Sequence, residues 1–204
     1  MRPLSGTALP AAAHPGPEKR SAAGEGRRRA LHVASGAIGP LAAAVGARVA
    51  TPAFVALVVL AGGAEAARLR WPWARTRLER LAGGLFRPDE ASTVSGATML
   101  ACGYALAWWL FPAAAAERAI LVAAVADPMA AMVGSRFGGG RRKSWAGSAA
   151  CASTVAVILL LTGLPVVTTA FAAVVAAAVE RAPWHGSDNV AIPVGVGAVL
   201  WWMA

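Results

Sequence analysis

The run AILVAAVADPMAAMVGSRF, at residues 119–137, decides the fold class because it is long and apolar enough to cross a bilayer. Similar apolar runs fill most of the 204-residue chain, in which 57% of the residues are hydrophobic and only 14% are charged. A soluble domain carries about a quarter charged residues. We therefore predict an all-α, polytopic integral membrane protein, a helical bundle with about seven transmembrane helices. The predicted spans are 30–46, 49–67, 92–111, 119–137, 147–164, 166–180 and 189–204.

Charge and cysteine content argue against several other classes. The 19 Lys and Arg exceed the 10 Asp and Glu, but they lie between apolar runs, so we expect no nucleic-acid partner. Cys102 and Cys151 lie inside apolar runs, which argues against a disulfide framework and a cysteine-based zinc site. Residues 1–26 lack an apolar core and predict a disordered cytoplasmic tail rather than a secretory signal. Residues 27–204 are left as the membrane-embedded domain.

The placement of positive charge predicts the orientation. With the N-terminus in the cytoplasm and seven spans, all Lys and Arg except Arg48 and Arg118 fall on the cytoplasmic side. We therefore expect a multi-pass protein of the cell membrane whose polar groups face the cytoplasm. Tryptophans at the ends of three predicted spans fit an interfacial belt. They are Trp71, Trp73, Trp108, Trp109, Trp201 and Trp202.

Polar side chains in or beside the spans gather on that same side, although each is costly in a membrane unless it is paired or functional. They are His32, Glu65, Arg68, Arg87, Glu90, Asp127, Glu180, Asp188 and Asn189. This one-sided distribution favours a shared site. Taken singly, His32 is as well explained by contact with lipid head groups. Glu65 with Arg68 also fits an ordinary ion pair at a helix end, as does Arg87 with Glu90.

Asp127 is the strongest candidate for function. It interrupts a span with no basic residue within one helical turn, and Pro128 follows it. We expect Pro128 to break the helix, so that freed carbonyl groups and the carboxylate together ligate a metal ion or meet a polar ligand. A functional role is favoured over a structural one on that ground.

The segment GSRFGGGRRKSWAGS, residues 134–148, predicts a polyphosphate site facing the cytoplasm. Glycines let the backbone approach a ligand closely, four basic side chains lie among them, and Gly147-Ser148 opens a helix whose N-terminus favours phosphate. A flexible basic loop is the alternative. The segment is not a Walker A loop, because no glycine directly precedes Lys143-Ser144 and no strand precedes the segment.

Four blocks of sequence together resemble a known family, that of the dolichol kinases, phytol kinases and CTP-dependent diacylglycerol kinases, which is related to the phosphatidate cytidylyltransferases. The blocks are RRALHVASG at 28–36, FRPDE at 86–90 with SGAT at 95–98, ADPMAAMVG at 126–134 with FG at 137–138 and KSWAGS at 143–148, and Glu180 with DNVAIP at 188–193. They stand in order over most of residues 27–204. Ala146 departs from the several family members that carry Glu there.

The resemblance implies an enzyme that transfers the terminal phosphate of CTP, or of another nucleoside triphosphate, to a lipid alcohol such as a polyprenol, phytol or diacylglycerol. It implies Mg²⁺ as cofactor, with Asp127 and Asp188 as metal ligands. Asp127, Glu90 and His32 are the implied catalytic residues, and the choice between Glu90 and Glu65 as general base stays open. The implied nucleotide-binding residues are Arg28, Arg29, Gly134, Arg136, Gly138, Arg142, Lys143, Ser144, Gly147, Ser148 and Asn189.

The expected partners are the lipid bilayer, a lipid alcohol and a nucleoside triphosphate. A cytidylyltransferase that attacks the α-phosphate and forms a CDP-lipid is the nearest alternative, but its carboxy-terminal signature, with a Pro-Gly-His-Gly-Gly run, is missing. A transporter or a non-enzymatic scaffold is the second alternative. Internal inverted repeats would favour transport, and the sequence shows none.

Overall fold

The computed structural model describes residues 22–82, 85–86, 90–138, 143–182 and 188–204. Within these ranges the chain is helical, without a strand, so the predicted all-α class is confirmed. The helices are α1 (Ala22–Ser35), α2 (Ile38–Val45), α3 (Ala47–Arg70), α4 (Pro72–Ala82), α5 (Gly96–Leu110), α6 (Ala113–Phe137), α7 (Trp145–Leu161), α8 (Val166–Arg181) and α9 (Asp188–Trp202).

Two of these helices, α3 and α6, are long and apolar enough to cross a membrane. The apolar window of α3 has a mean hydropathy of 1.7, yet only 17% of it is buried inside the protein. A helix in the core of a soluble protein would be mostly buried, so the exposed apolar surface of α3 favours lipid contact. Helices α5 and α7 are also apolar but shorter.

Helix α6 lies at the centre of the bundle. It packs against α1, α2, α5, α7 and α9, while α8 packs on α7 and α9, and α3 packs on α2, α4 and α5. Much of the buried surface of α6 is alanine, with Ile120 and Val122 as its largest fully buried side chains. Small residues let helix backbones approach closely, which is how membrane helices commonly associate.

Two glycines mark contacts in which a helix backbone approaches another directly. A Cβ on Gly103 of α5 would overlap the carbonyl oxygen of Asn189 at the start of α9. A Cβ on Gly39 of α2 would lie 2.5 Å from the carbonyl oxygen of Glu117 in α6. The first contact holds the N-terminus of α9 against α5 and thereby positions Asp188 and Asn189.

The boundaries differ from the predicted ones chiefly at the N-terminal end, in the segment after α3 and at the start of α6, which begins at Ala113 rather than at residue 119. The predicted span 30–46 is divided into α1 and α2 by a turn at Gly36, and α1 begins at Ala22, inside the predicted tail. Residues 72–82, expected to be part of a cytoplasmic loop, form the helix α4. The charged residues of this segment interrupt its apolar positions, so it contains no apolar run that would mark a helix.

The expectation that Pro128 breaks its helix is wrong. Helix α6 runs without interruption from Ala113 to Phe137, with Pro128 buried inside it. Proline removes one helical hydrogen bond, but the packing of neighbouring helices around α6 keeps the helix continuous. Asp127 therefore offers a carboxylate on a continuous helix, rather than one beside a broken turn.

Candidate functional site

Lys143 joins two acidic residues from different helices. Its Nζ lies 2.6 Å from Asp188 Oδ2 and 3.2 Å from Glu180 Oε1, with hydrogen bonds to both. Glu180 is in turn held by Ser148, whose Oγ donates to Glu180 Oε2 at 2.7 Å. These four residues, which we call the Lys143 cluster, bring together the N-termini of α7 and α9 and the C-terminus of α8. The grouping of Lys143, Ser148, Glu180 and Asp188 supports the predicted shared site.

The start of α7 is fixed by its own sequence. Ser144 is the N-cap, with its Oγ accepting a hydrogen bond from the backbone N–H of Gly147 at 3.0 Å. A serine cap satisfies one of the otherwise unbonded N–H groups of a helix's first turn. The cap places Lys143 immediately before the helix, where the positive end of the helix dipole adds to its charge.

Two oxygens beside the Lys143 cluster are buried without a partner among the described residues. They are Asp188 Oδ1 and Asn189 Oδ1, for which the structure gives no hydrogen bond. Buried oxygens are nearly always hydrogen-bonded, and an exception calls for an explanation such as an ion or a ligand. The other polar atom of each side chain already has a partner. Asp188 Oδ2 accepts a hydrogen bond from Lys143, and Asn189 Nδ2 donates to the carbonyl oxygen of Gly96 at 3.0 Å.

The charges of the cluster are strongly coupled. Lys143 lies before the predicted span 147–164 and Asp188 lies before the predicted span 189–204, so both are outside the spans. Burial alone would lower the pKa of Lys143, but the hydrogen bond and charge of Asp188, together with Glu180, raise it above its usual value. Burial raises the pKa of Asp188 to about 6, and the negative charges of Asp127 and Glu180 act in the same direction against Lys143. The site therefore holds a cationic Lys143 among carboxylates that repel one another.

Asp127 approaches the same region from α6. Its Oδ2 lies 3.7 Å from His32 Nδ1 on α1, and its charge acts on Asp188. His32 is 9% exposed. Ser35, one turn further along α1, donates to the carbonyl oxygen of His32 at 2.5 Å and lies 2.9 Å from the hydroxyl oxygen of the buried Tyr104 on α5. Tyr104 thus fixes the helix that presents His32, a role that no sequence signal indicated.

A second group of polar residues, which we call the Glu65 cluster, consists of Glu65, Arg68, Ser95 and Thr98. Glu65 Oε1 accepts from Arg68 and from the backbone N–H of Ser95, and Oε2 accepts from Ser95 Oγ at 2.6 Å and Thr98 Oγ1 at 2.9 Å. Arg68 also donates to the carbonyl oxygens of Glu90 at 2.9 Å and Thr93. Both carboxylate oxygens of Glu65 are occupied, which argues against Glu65 as a general base.

Gly96 lies between the two clusters, because it follows Ser95 in the chain and contacts Asn189, the neighbour of Asp188. Its N–H donates to Glu90 Oε1 at 3.1 Å, while its carbonyl oxygen accepts from Asn189. A Cβ on Gly96 would lie 3.3 Å from each of these side chains, so Glu90 and Asn189 flank the same backbone turn. The polar residues form a band from α3 to α8. Within it, Glu90 is linked to Asn189 through Gly96 alone, whereas Glu65 is linked to Asn189 through Ser95 and then Gly96.

A pocket of about 450 Å³ opens next to the Lys143 cluster. Trp145 is 74% exposed, and the guanidinium of Arg181 lies 3.7 Å from the centre of its ring. Neither residue was predicted to belong to the site, because adjacency to a motif and to Glu180 was their only sequence signal. The described residues that line the pocket are Phe137, Gly138, Lys143, Ser144, Trp145, Ala146 and Arg181.

The glycines predicted to bind nucleotide serve helix packing in this structure. A Cβ on Gly138 would lie 2.6 Å from Ser144 Cβ, and one on Gly147 would lie 3.0 Å from the carbonyl oxygen of Ala130. Gly134 faces Ser144 and Gly147 in the same contact. These close approaches bring α7 onto α6 and so carry the Lys143 cluster towards Asp127.

The predicted basic residues are placed differently from one another. Arg28 and Arg29 both pair with Glu25 on α1, with N···O distances of 3.0 Å and 3.3 Å. The guanidinium of the exposed Arg136 lies 5.8 Å from the centre of the Phe137 ring. Arg87 and Arg142 lie outside the described residues.

The described residues form no group of three or more His, Cys, Asp or Glu side chains that could enclose a metal ion. Asp127, Asp188 and Asn189 nevertheless carry oxygens of the type that Mg²⁺ prefers. Mg²⁺ commonly uses only one or two protein carboxylates, with water and substrate phosphates completing its coordination. The donor set therefore fits a magnesium–nucleotide complex better than an ion held by protein alone.

No protein-family model, curated protein or solved structure matches the chain.

Proposed function

We propose that the chain is an integral membrane kinase that transfers the terminal phosphate of CTP, or of another nucleoside triphosphate, to a lipid alcohol. In this proposal seven spans hold the polar band at the cytoplasmic surface, and the lipid enters between helices. The exposed apolar surface of α3 and the apolar α6 support a membrane location.

The observation that carries the proposal is the open side of the Lys143 cluster. Lys143 and the N-terminus of α7 line a pocket of about 450 Å³, and Asp188, which contacts Lys143, and the adjacent Asn189 each carry a buried oxygen without a partner among the described residues. Phosphate oxygens are bound by cations and helix N-termini, whereas carboxylate and amide oxygens hold the metal that accompanies them. The combination matches a nucleotide's phosphates and Mg²⁺ together.

Phosphoryl transfer asks the protein mainly for positioning and charge stabilisation. The alcohol oxygen forms a bond to the γ-phosphorus, the bond between that phosphorus and the β–γ bridging oxygen breaks, and CDP leaves with the electron pair. Lys143 would bind phosphate oxygens as negative charge moves towards the leaving group. Arg181 and Trp145 would line the neighbouring pocket, and Asn189 would contact the nucleotide.

The proton of the alcohol passes to a carboxylate. Glu65 is unsuited because both its oxygens accept hydrogen bonds. Glu90 lies beside Asn189 across Gly96, and we assign it this role. His32, facing Asp127 at 3.7 Å, would orient that carboxylate.

Asp127 and Asp188 are the residues that would hold Mg²⁺. When bound, the ion neutralises charge on the phosphates and orients them for in-line attack. Asp188 Oδ1 is available for this contact, because Lys143 occupies only Oδ2.

The direct test uses the purified chain in detergent with Mg²⁺, CTP labelled on the γ-phosphate and a panel of lipid alcohols. We expect label in the phosphorylated form of one alcohol with the wild-type protein and none with Asp127→Asn. Glu79→Gln, which makes the same change of charge on the exposed helix α4, should leave the transfer intact.

Other outcomes would replace the proposal. Pyrophosphate release with phosphatidate, and no label in any lipid alcohol, would indicate the cytidylyltransferase. No product with either acceptor would favour the transporter or scaffold.

A further inference from the structure

Helix α4 presents an exposed surface that is both aromatic and basic. Trp71 and Trp73 stack with ring centres 6.2 Å apart and an interplanar angle of 19°, and they are 47% and 67% exposed. Leu81 is 79% exposed. Trp73, Arg77 and Leu81 follow one another at intervals of four residues, so they lie along one side of the helix. Aromatic and apolar side chains that are exposed together on one side of a helix indicate contact with another surface.

The basic side chains of this surface are accessible. Arg70, Arg77 and Arg80 are exposed, and Arg80 Nε donates only weakly to the carbonyl oxygen of Thr76, at 3.3 Å. Arg75 is paired with Glu79, the one acidic residue of α4, at 2.9 Å, so these two charges neutralise each other. Three arginines therefore remain to attract an anionic partner.

The position of α4 indicates which partner this is. The helix follows α3 after the single residue Trp71, and among the other helices it packs chiefly against α3. Helix α3 is 24 residues long, apolar and mostly unburied. Since α3 is long enough to cross the hydrocarbon layer, α4 begins where α3 leaves the bilayer, at the level of the lipid head groups.

We propose that α4 is an interfacial helix that binds the head groups of anionic phospholipids through Arg77 and Arg80, together with Arg70 at the end of α3. Trp71, Trp73 and Leu81 lie at the boundary between head groups and acyl chains, where aromatic residues are enriched at membrane surfaces. Arginine next to a membrane helix attracts anionic lipid. The lipid surface meets both the charge and the apolar side chains of α4, and it does so whether or not the chain is a kinase.

The test is native mass spectrometry of the full-length protein released from mixed micelles that contain equal amounts of phosphatidylglycerol and phosphatidylcholine. We expect the wild-type protein to retain phosphatidylglycerol in excess. The variant Arg70→Gln/Arg77→Gln/Arg80→Gln should lower the retained ratio by about fivefold for each arginine that binds independently.

The control variant, Arg48→Gln/Arg118→Gln, changes the two basic residues that the predicted topology places on the non-cytoplasmic side. It should keep the wild-type lipid ratio. Equal retention of both lipids by the wild-type protein, an unchanged ratio in the triple variant, or an equal loss in the control would each overturn the proposal. Circular dichroism of all three proteins verifies that the helices are intact.

Discussion

The Glu65 cluster and the Lys143 cluster use the same chemistry for different ends. In the first, both oxygens of Glu65 accept hydrogen bonds and Arg68, which is 2% exposed, divides its donors among three partners. In the second, Asp188 Oδ1 is buried and lacks a partner in the described structure, as does Oδ1 of the adjacent Asn189. A cluster whose acceptors are all engaged fixes the helices, whereas one with unpaired buried oxygens is the candidate for binding a ligand. Burial and charge alone do not distinguish the two.

The largest effect is expected on stability, from Glu65→Ala. This change leaves the buried Arg68 without its carboxylate, and breaking a buried ion pair in this way costs about 3–5 kcal/mol. Thermal unfolding in detergent measures the loss. Glu79→Ala, which removes an exposed partner of Arg75 on α4, should cost less than about 1 kcal/mol. Equal losses in the two variants would remove the structural role of Glu65.

The next effect is expected on catalysis, from Asp127→Asn. The amide keeps the shape of the side chain but loses its charge, so we expect the transfer rate to fall by at least about a hundredfold. The unfolding temperature should stay near that of the wild-type protein, because Asp127 is partly exposed and faces His32 at 3.7 Å rather than through a short ion pair. Retained turnover would exclude the proposed metal ligand.

A smaller effect is expected from Lys143→Ala. Loss of a charged donor to phosphate should raise the KM for CTP by about tenfold while changing kcat less. Lys143→Arg retains the charge and should restore part of the affinity. Steady-state kinetics at varied CTP gives both constants, and an unchanged KM in Lys143→Ala would remove Lys143 from the phosphate site.

The smallest difference separates two helix caps. Ser144→Ala loses the cap of α7, which costs about 1 kcal/mol. Ser95→Ala loses the cap of α5 and also the hydrogen bond to Glu65 Oε2, so we expect about 2 kcal/mol. Denaturant unfolding of the two variants compares them. A larger cost at Ser144 would contradict the assignment of Ser95 to the Glu65 cluster.

Much of the helical layout was predictable, because long apolar runs bounded by polar residues indicate where helices begin and end. The predicted spans 49–67, 166–180 and 189–204 correspond closely to α3, α8 and α9. Helix α4 was missed since arginines interrupt its apolar positions. The effect of Pro128 was misjudged because the packing around α6 comes from helices distant in sequence, which outweigh one lost hydrogen bond.

The candidate site could be proposed from the sequence as a set of residues but not as an arrangement. The position of polar residues on one side of the spans selected Glu65, Glu180 and Asp188 alike, and the basic glycine-rich segment selected Lys143. Neither pattern indicates which of these residues contact one another. Contacts between residues 30 or more positions apart, such as Ser95 with Glu65, determine which carboxylate is saturated. Tyr104 was missed for the same reason, because the polar contact that it makes within the described residues reaches back to Ser35.

The most direct test of the contrast between the clusters is equilibrium binding of Mg²⁺–CTP, measured without a lipid acceptor so that no turnover is needed. Glu65→Gln and Asp188→Asn make the same change of charge in the Glu65 cluster and the Lys143 cluster. The account predicts wild-type affinity in Glu65→Gln and at least about tenfold weaker binding in Asp188→Asn, each with intact helicity. Wild-type affinity in Asp188→Asn, or lost binding in a folded Glu65→Gln, would contradict it.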